Sequence, residues 1–424
     1  MPERRKRVVY VTYDGIEDPL GRSQVLPYVE GLARRGHAFE LVSFEKPGVP
    51  LRFRERLAAG VRWTALRYHR TPTVPATAFD MAQGASLLAL QKLFIGADLV
   101  HVRSYVAATL ALPCVRALRT PMLFDMRGLW PDEKADIGTW PRGGRLYAAA
   151  KKMERVLLRN AAFATVLTHA MQRYLRDDYP YRSEVTCPIH VIPTCADLAF
   201  FNPETPKDEN LARELEGATV LAYVGSLGAW YMQDEMVRFY EAFRREVPRA
   251  RLLVVTRDQP TELRALLARF GAEGELVHRS AKRDEVAKFV RCADAALCFV
   301  RPTFSKLGSA PTKVGEILGC GLPVAANIVG DLDRVLGESP AGVVVSDMSE
   351  DALARAARQL ADAARRPTTR SEARAVAERW FGLEAAVAAY DRIYEAIGSA
   401  RGARADATWP SESRFRPHSA TNVL

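Results

Sequence analysis

Strand-like and helix-like runs alternate along this chain in two successive series, and that rhythm is compatible with few folds. The first series reads "RVVYVTY" (7–13), the periodic "SQVLPYVEGLARRG" (23–36), "AFELVSF" (38–44), "VRWTALRY" (61–68), a helical pattern near 80–94, "ADLVHVRS" (97–104), "PMLFDMR" (121–127), a helical pattern over 143–160, "AFATVLT" (162–168) and "IHVIPT" (189–194). A connector rich in Pro, Asn and Asp, "CADLAFFNPETPKDEN", interrupts it. The alternation then restarts with "TVLAYVG" (219–225), helical patterns over 232–246 and 261–270, and the runs "ARLLVVT" (250–256), "ELVHR" (275–279), "DAALCFV" (294–300), "LPVAAN" (322–327) and "AGVVVS" (341–346). Apolar strands separated by helices build parallel βαβ units. The expected class is α/β: two Rossmann-like doubly wound domains, residues 1–200 and 201–380, facing across a cleft where the carboxyl ends of the strands meet ligands. A helical segment, 381–398, and a tail, 399–424, follow; the tail has no period, is rich in Ser, Arg and Pro, and is expected to be disordered.

Composition narrows the function classes. Six cysteines without a C-x-x-C pair suggest neither a disulfide framework nor a zinc site. The N-terminus "MPERRKRVVYVTYDG" lacks the h-region of a signal peptide, and the longest apolar candidate, "ASLLALQKLFIGADLV", is broken by Lys92 and Asp98, so a cytoplasmic protein is expected. A net charge of +10 suits nucleic acid, an anionic lipid surface or phosphorylated small molecules. No zinc-finger spacing or RNP-like aromatic block is present, and the basic residues are interspersed with acids, so nucleic acid is not expected as a partner.

One stretch carries chemistry: "SKLGSAPTKVGEILGCGLPVAAN", residues 305–327. Ser309 is placed to cap a helix with Pro311 in its first turn, and Gly321 and Pro323 stop it. Val314 and Leu318 face a core, whereas Lys313, Glu316 and Cys320 share another side. A helix starting at the carboxyl end of a parallel strand presents unpaired N–H groups and the positive end of its dipole, and a diphosphate fits there. The dipole contributes only about 0.3–1 kcal/mol, so Arg301, Lys306 and Lys313 are expected to supply positive charge, with Arg257 as a further candidate. Glu316 is placed to accept hydrogen bonds from vicinal hydroxyls such as those of a ribose. The competing reading is a Lys313–Glu316 pair on an exposed helix face, worth about 0.2–0.5 kcal/mol. "GSAPTK" lacks the glycine a P-loop needs before its lysine, and no G-x-G-x-x-G follows the first strand of either half, so a dinucleotide enzyme is not expected.

With "YDGIEDPLGRSQVLPYVEGLARRGH", "FDMRGLWPDE", "YVGSLGAWY" and "WFGLEAAVAAYDRIY", this stretch resembles family 4 of the retaining glycosyltransferases of the GT-B fold, over about residues 7–397. The resemblance implies a nucleotide-sugar donor on the second domain, a glycan or lipid-linked acceptor on the first, and no cofactor. It assigns Glu316 to the donor ribose and the Ser309–Thr312 turn to the diphosphate. It sets Gly225 and Ser226 on the donor side, Gly21 in the loop closing on the phosphate, and the last helix crossing back to the first domain. Asp125 and Arg127 at a strand end, with Glu316, are the catalytic candidates, Arg127 against the departing phosphate. Trp130, Asp132 and Glu133 fall on the acceptor side. The chain departs from the family pattern in carrying Gly308 where many members have an acid, no Arg or Lys in "GSLGAWYMQDE", and no clear counterpart of the first-domain histidine.

"DLD" at 331–333 has metal-site spacing but follows a Rossmann strand, so no metal is expected. "RGGRLYAAAKKMERVLLR" (142–159) could contact a membrane surface peripherally or be a half-buried helix with a basic face. Two alternatives to glycosyl transfer stay open: another GT-B enzyme, such as a sugar phosphorylase or sugar-nucleotide epimerase, and an inactive binding scaffold.

Overall fold

The computed structural model describes residues 5–48, 57–69 and 73–397; the tail expected to be disordered lies outside them. The first series of strands forms a parallel sheet of β1 (Arg7–Thr12), β2 (Ala38–Glu45), β3 (Val61–Arg67), β4 (Leu99–Arg103), β5 (Met122–Asp125), β6 (Phe163–Val166) and β7 (Ile189–Val191). Their order is β3-β2-β1-β4-β5-β6-β7. The second sheet contains β8 (Thr219–Val224), β9 (Ala250–Val255), β10 (Leu276–Arg279), β11 (Ala295–Cys298), β12 (Val324–Asn327) and β13 (Gly342–Val345), in the order β10-β9-β8-β11-β12-β13. Both are doubly wound, as expected of two Rossmann-like units, and the central strands are buried along their length because helices cover both faces. The order reverses between β1 and β4 and between β8 and β11, and the crevices at such reversals are where ligands enter this architecture.

Some elements differ from the sequence expectation. The periodic run 23–36 is two helices, Pro19–Gln24 and Leu26–Arg34, broken at Val25, with Pro27 in the first turn of the second. The helix expected near 80–94 begins earlier, at Thr73. The crossover helix Ser104–Leu118 has no legible period, being apolar on most sides and containing Pro113. Ser309 does not cap: the helix runs Thr312–Gly319, with Pro311 at the cap position and no side-chain cap.

The last helix, Leu383–Ala396, lies on the first unit. A β-carbon at Gly31 would stand 2.6 Å from Val387 Cγ2. Tyr28 and Tyr390 meet edge to face at 5.9 Å, and His37 Nε2 lies 2.7 Å from Asp391 Oδ1. The chain is thus threaded from the second unit back onto the first.

Candidate functional site

The two carboxyl edges face each other around the helix Thr312–Gly319. On its exposed side Lys313 Nζ lies 3.8 Å from the centre of the Tyr231 ring and 3.4 Å from Tyr223 Oη. It also fills the space beside Gly225, where a β-carbon would come within 2.5 Å of the ammonium. Gly225 has φ +124°, a conformation that favours glycine. The loop "GSLGAWYMQDE" brings no cation of its own, but Lys313 places one at that spot from the helix Thr312–Gly319. Ser226 is exposed, and Asp258 accepts the Leu227 amide (2.7 Å), which holds this loop. The side chain of Glu316, one turn along, makes no hydrogen bond among the described residues. Burial pushes its carboxyl above the ordinary 4.5, with Arg283 and Lys313 pulling the other way.

The remaining cations divide. Lys306 is buried, 3.6 Å from the Trp230 ring centre, and donates to Glu133 Oε1 at 3.0 Å. Arg301 and Arg257 are exposed. Ser309 and Thr312 lie half-buried on either side of the Ala310–Pro311 turn.

On the facing edge, Asp125 ends β5, and its Oδ2 lies 3.7 Å from Arg127 Nη1; Thr165 donates to its Oδ1 at 3.0 Å. Arg127 has φ +60°, the left-handed region, which a non-glycine residue enters at a cost of order 1–3 kcal/mol. Burial works against its charge, but Asp125 and the nearby Tyr390, Tyr28 and Tyr10 outweigh that and hold its proton more tightly than usual. Arg127 Nη2 donates to Gln24 Oε1 (3.0 Å), whose amide nitrogen reaches Cys195 O and, across the cleft, Thr312 Oγ1, both at 3.3 Å. Gly21 sits in the short helix before Gln24, where a β-carbon would lie 2.1 Å from Gly15 O. The loop before it is stapled by Glu45, which accepts the Ile16 amide at 2.6 Å.

Trp130 is half-buried against Tyr105 and Trp140. Glu133 is partly exposed and meets Lys306 across the cleft. Asp132 turns inward, accepting from Tyr147 (2.8 Å) and Lys151 (3.0 Å).

The two units touch closely beyond this centre. A β-carbon at Gly308 would come 2.7 Å from Met171 Sδ and 3.0 Å from Gly128 Cα, so an acidic side chain has no room there. Thr168 and Thr194 donate to the carbonyls of Leu307 and Ala310, and the Ser305 amide donates to Asp136 at 2.9 Å. Asp331, first residue of "DLD", accepts the amides of His169 (2.6 Å) and Ala170 (3.0 Å) and lies 2.9 Å from His169 Nδ1. Burial would raise its carboxyl, but these donors hold it below the ordinary 3.8. Among the described residues no group of three or more His, Cys, Asp or Glu side chains is arranged to hold a metal ion.

The sequence reading does not reach Gln24 or Arg283 in this centre, nor His169 as the partner of Asp331 beyond it. "PLGRSQ" is expected to be a loop, but Pro19–Gln24 is a short helix, and nothing local marks Gln24 as a bridge to residues 127 and 312.

The description "Glycosyltransferase Family 4" fits residues 24–200, and "Glycosyl transferases group 1" fits residues 218–363. A D-inositol 3-phosphate glycosyltransferase from Xylanimonas cellulosilytica is 32% identical over 233 residues, 51% of this chain and 53% of that protein, so the match spans about half the length of the relative. Among solved structures, a sucrose-phosphate synthase from Thermosynechococcus elongatus has a TM-score of 0.70 at 16% identity, covering 92% of this chain and 98% of its own. HepE from Anabaena, in complex with UDP and glucose, has a TM-score of 0.65 at 13% identity, with coverages of 92% and 99%.

Proposed function

The chain belongs to the family 4, group 1 glycosyltransferases of the GT-B fold, and we propose that it moves a sugar from a nucleoside diphosphate to a glycan or lipid-linked acceptor, retaining the anomeric configuration and using no metal ion. The observation that carries this reading is the helix Thr312–Gly319, which opens into the cleft with Lys313 beside Gly225 and, one turn on, a Glu316 side chain without a hydrogen bond among the described residues. The diphosphate takes the amide end of this helix, Lys313 and, from the facing unit, Arg127. The ribose hydroxyls donate to Glu316. HepE in complex with UDP and glucose supports this donor class by likeness of fold.

In the proposed reaction the bond from the anomeric carbon to the diphosphate oxygen breaks as the acceptor hydroxyl attacks from the same face, and its proton passes to the departing phosphate. Arg127 stabilises the charge that develops there. Asp125 already pairs with Arg127 and Thr165, which suits holding the guanidinium in place better than attacking carbon. Trp130 and Glu133 border the acceptor side, with Asp132 behind them as a support. Metal independence is favoured by the commitment of Asp331 to His169 and Ala170. Domain limits of 1–200, 201–380 and 381–398 go with this assignment.

Polysaccharide assembly at the cytoplasmic face of a membrane is the setting we propose. No helix among the described residues is long and apolar enough to cross a membrane. The helix Arg145–Asn160 exposes Arg145, Leu146, Lys152 and Arg159, chemistry that suits peripheral contact with anionic lipid.

The test is a thermal-shift series with UDP, GDP, ADP, dTDP and CMP, with and without Mg²⁺, on the wild type and Glu316→Ala. A metal-independent rise with one nucleoside diphosphate, lost in the variant, is expected. No rise with any of them would remove the donor-site assignment.

A further inference from the structure

A second constellation lies on the carboxyl edge of the first sheet, away from the cleft centre. Asp80 is fully buried in the helix Thr73–Ile95, and its carboxylate takes three donors. Tyr13 Oη donates to Oδ2 at 2.9 Å, the His69 amide donates to the same oxygen at 3.1 Å, and His69 Nδ1 lies 2.6 Å from Oδ1. A carboxylate oxygen accepts, so Nδ1 donates to Asp80 and the ring turns Nε2 outward. His69 makes no bond through Nε2 among the described residues, and its side chain is 34% exposed. Beside it Phe79, 57% exposed, meets the imidazole edge to face at 5.2 Å. Tyr13 is braced by Phe44 at 5.0 Å and Tyr68 at 5.4 Å.

A purely structural tie between β3 and the helix would need Nδ1 alone; it leaves the open Nε2 and the exposed phenyl ring without a purpose. An oriented ring nitrogen beside an apolar ring face is the chemistry that recognises a sugar, with a hydroxyl sharing a hydrogen bond with the nitrogen and the C–H face resting on the ring. We propose that His69 and Phe79, with Asp80 and Tyr13 as positioning residues, form a carbohydrate subsite for a part of the acceptor beyond the sugar that reacts. Four strand steps separate β3 from β5 in the order β3-β2-β1-β4-β5, about 19 Å at ~4.8 Å per step, too far for contact with the reacting carbon. The subsite rests on the glycosyltransferase reading for its place in the reaction, but not for its chemistry.

The experiment uses the full chain labelled with ¹³C and ¹⁵N in histidine, titrated with methyl β-D-glucopyranoside, cellobiose or maltose at tens of millimolar. The His69 resonances, identified by their loss in His69→Asn, are expected to move with at least one probe. Saturation transfer to that probe should show binding weakened about fivefold or more in Phe79→Ala and in His69→Asn. The asparagine amide can still donate to Asp80, so His69→Asn should keep the wild-type melting temperature. Unmoved His69 signals with all three probes, undiminished binding in His69→Asn, or a fall in melting temperature that parallels its lost binding would each overturn the subsite. The rise in melting temperature with nucleoside diphosphate reads the donor site separately: its absence with sugar binding intact removes the donor-site assignment and leaves the subsite standing.

Discussion

The ammonium of Lys313 occupies the place that a side chain at Gly225 would take. Gly225→Ala should strain a backbone at φ +124° and push Lys313 from its seat over Tyr231. Binding of the nucleoside diphosphate that raises the melting temperature, followed by calorimetry, is expected to weaken more than about tenfold, the equivalent of one charge-assisted hydrogen bond. His101 gives a second test. Burial lowers its imidazole from 6.5 to about 4, with Asp125 pulling the other way. Both states are neutral above 6.5; as pH falls through the window from 6.5 to about 4 the unfolded chain takes up the proton first, so stability is lost, in total about 3 kcal/mol. Urea midpoints across that window should slope downward, and His101→Gln should flatten that part of the slope. The spacing of Lys313 and Glu316 was readable because it is one helical turn. The bond from Arg127 to Gln24 spans 103 positions and has no local signature.

At the scale of elements, the helix Thr312–Gly319 is held in place by the helix Thr369–Phe381, and the contact is close. A β-carbon at Gly315 would lie 2.4 Å from Phe381 Cγ, and that ring is itself buried. Gly315→Ala gains about 1 kcal/mol of helix propensity but forces apart a packed contact, which costs about 1–3 kcal/mol. The second effect should win. A net loss of up to about 2 kcal/mol is expected by guanidinium unfolding, together with weaker nucleotide binding as the helix start shifts. The existence of this helix was legible from its apolar spacing and its Gly and Pro stop. Its first residue was not, because Ser309 is a good cap by chemistry, yet its backbone is spent on the turn that meets Thr194 and Gly330.

Across the whole molecule, Gly308 and Gly128 let the two units approach until backbones touch, and Asp331 ties the helix His169–Arg173 of one unit to the other. Introducing an acid by Gly308→Asp should therefore part the units. An increased radius of gyration by solution scattering and a loss of about 1–3 kcal/mol are expected. An unchanged envelope with tighter nucleotide binding would contradict this account.

The order of strands and helices, their two series and the donor stretch were determined by sequence alone, since periodicity, turn residues and helix stops act over a few positions. Tertiary structure decided which residues work together. Gln24 meets Thr312 across 288 positions, Asp331 serves as a clasp despite its metal-like spacing, and Asp132 turns inward although it follows a site-like tryptophan. Those pairings exist only once two separately folded sheets have docked, and docking geometry depends on the summed packing of the whole interface rather than on any short stretch.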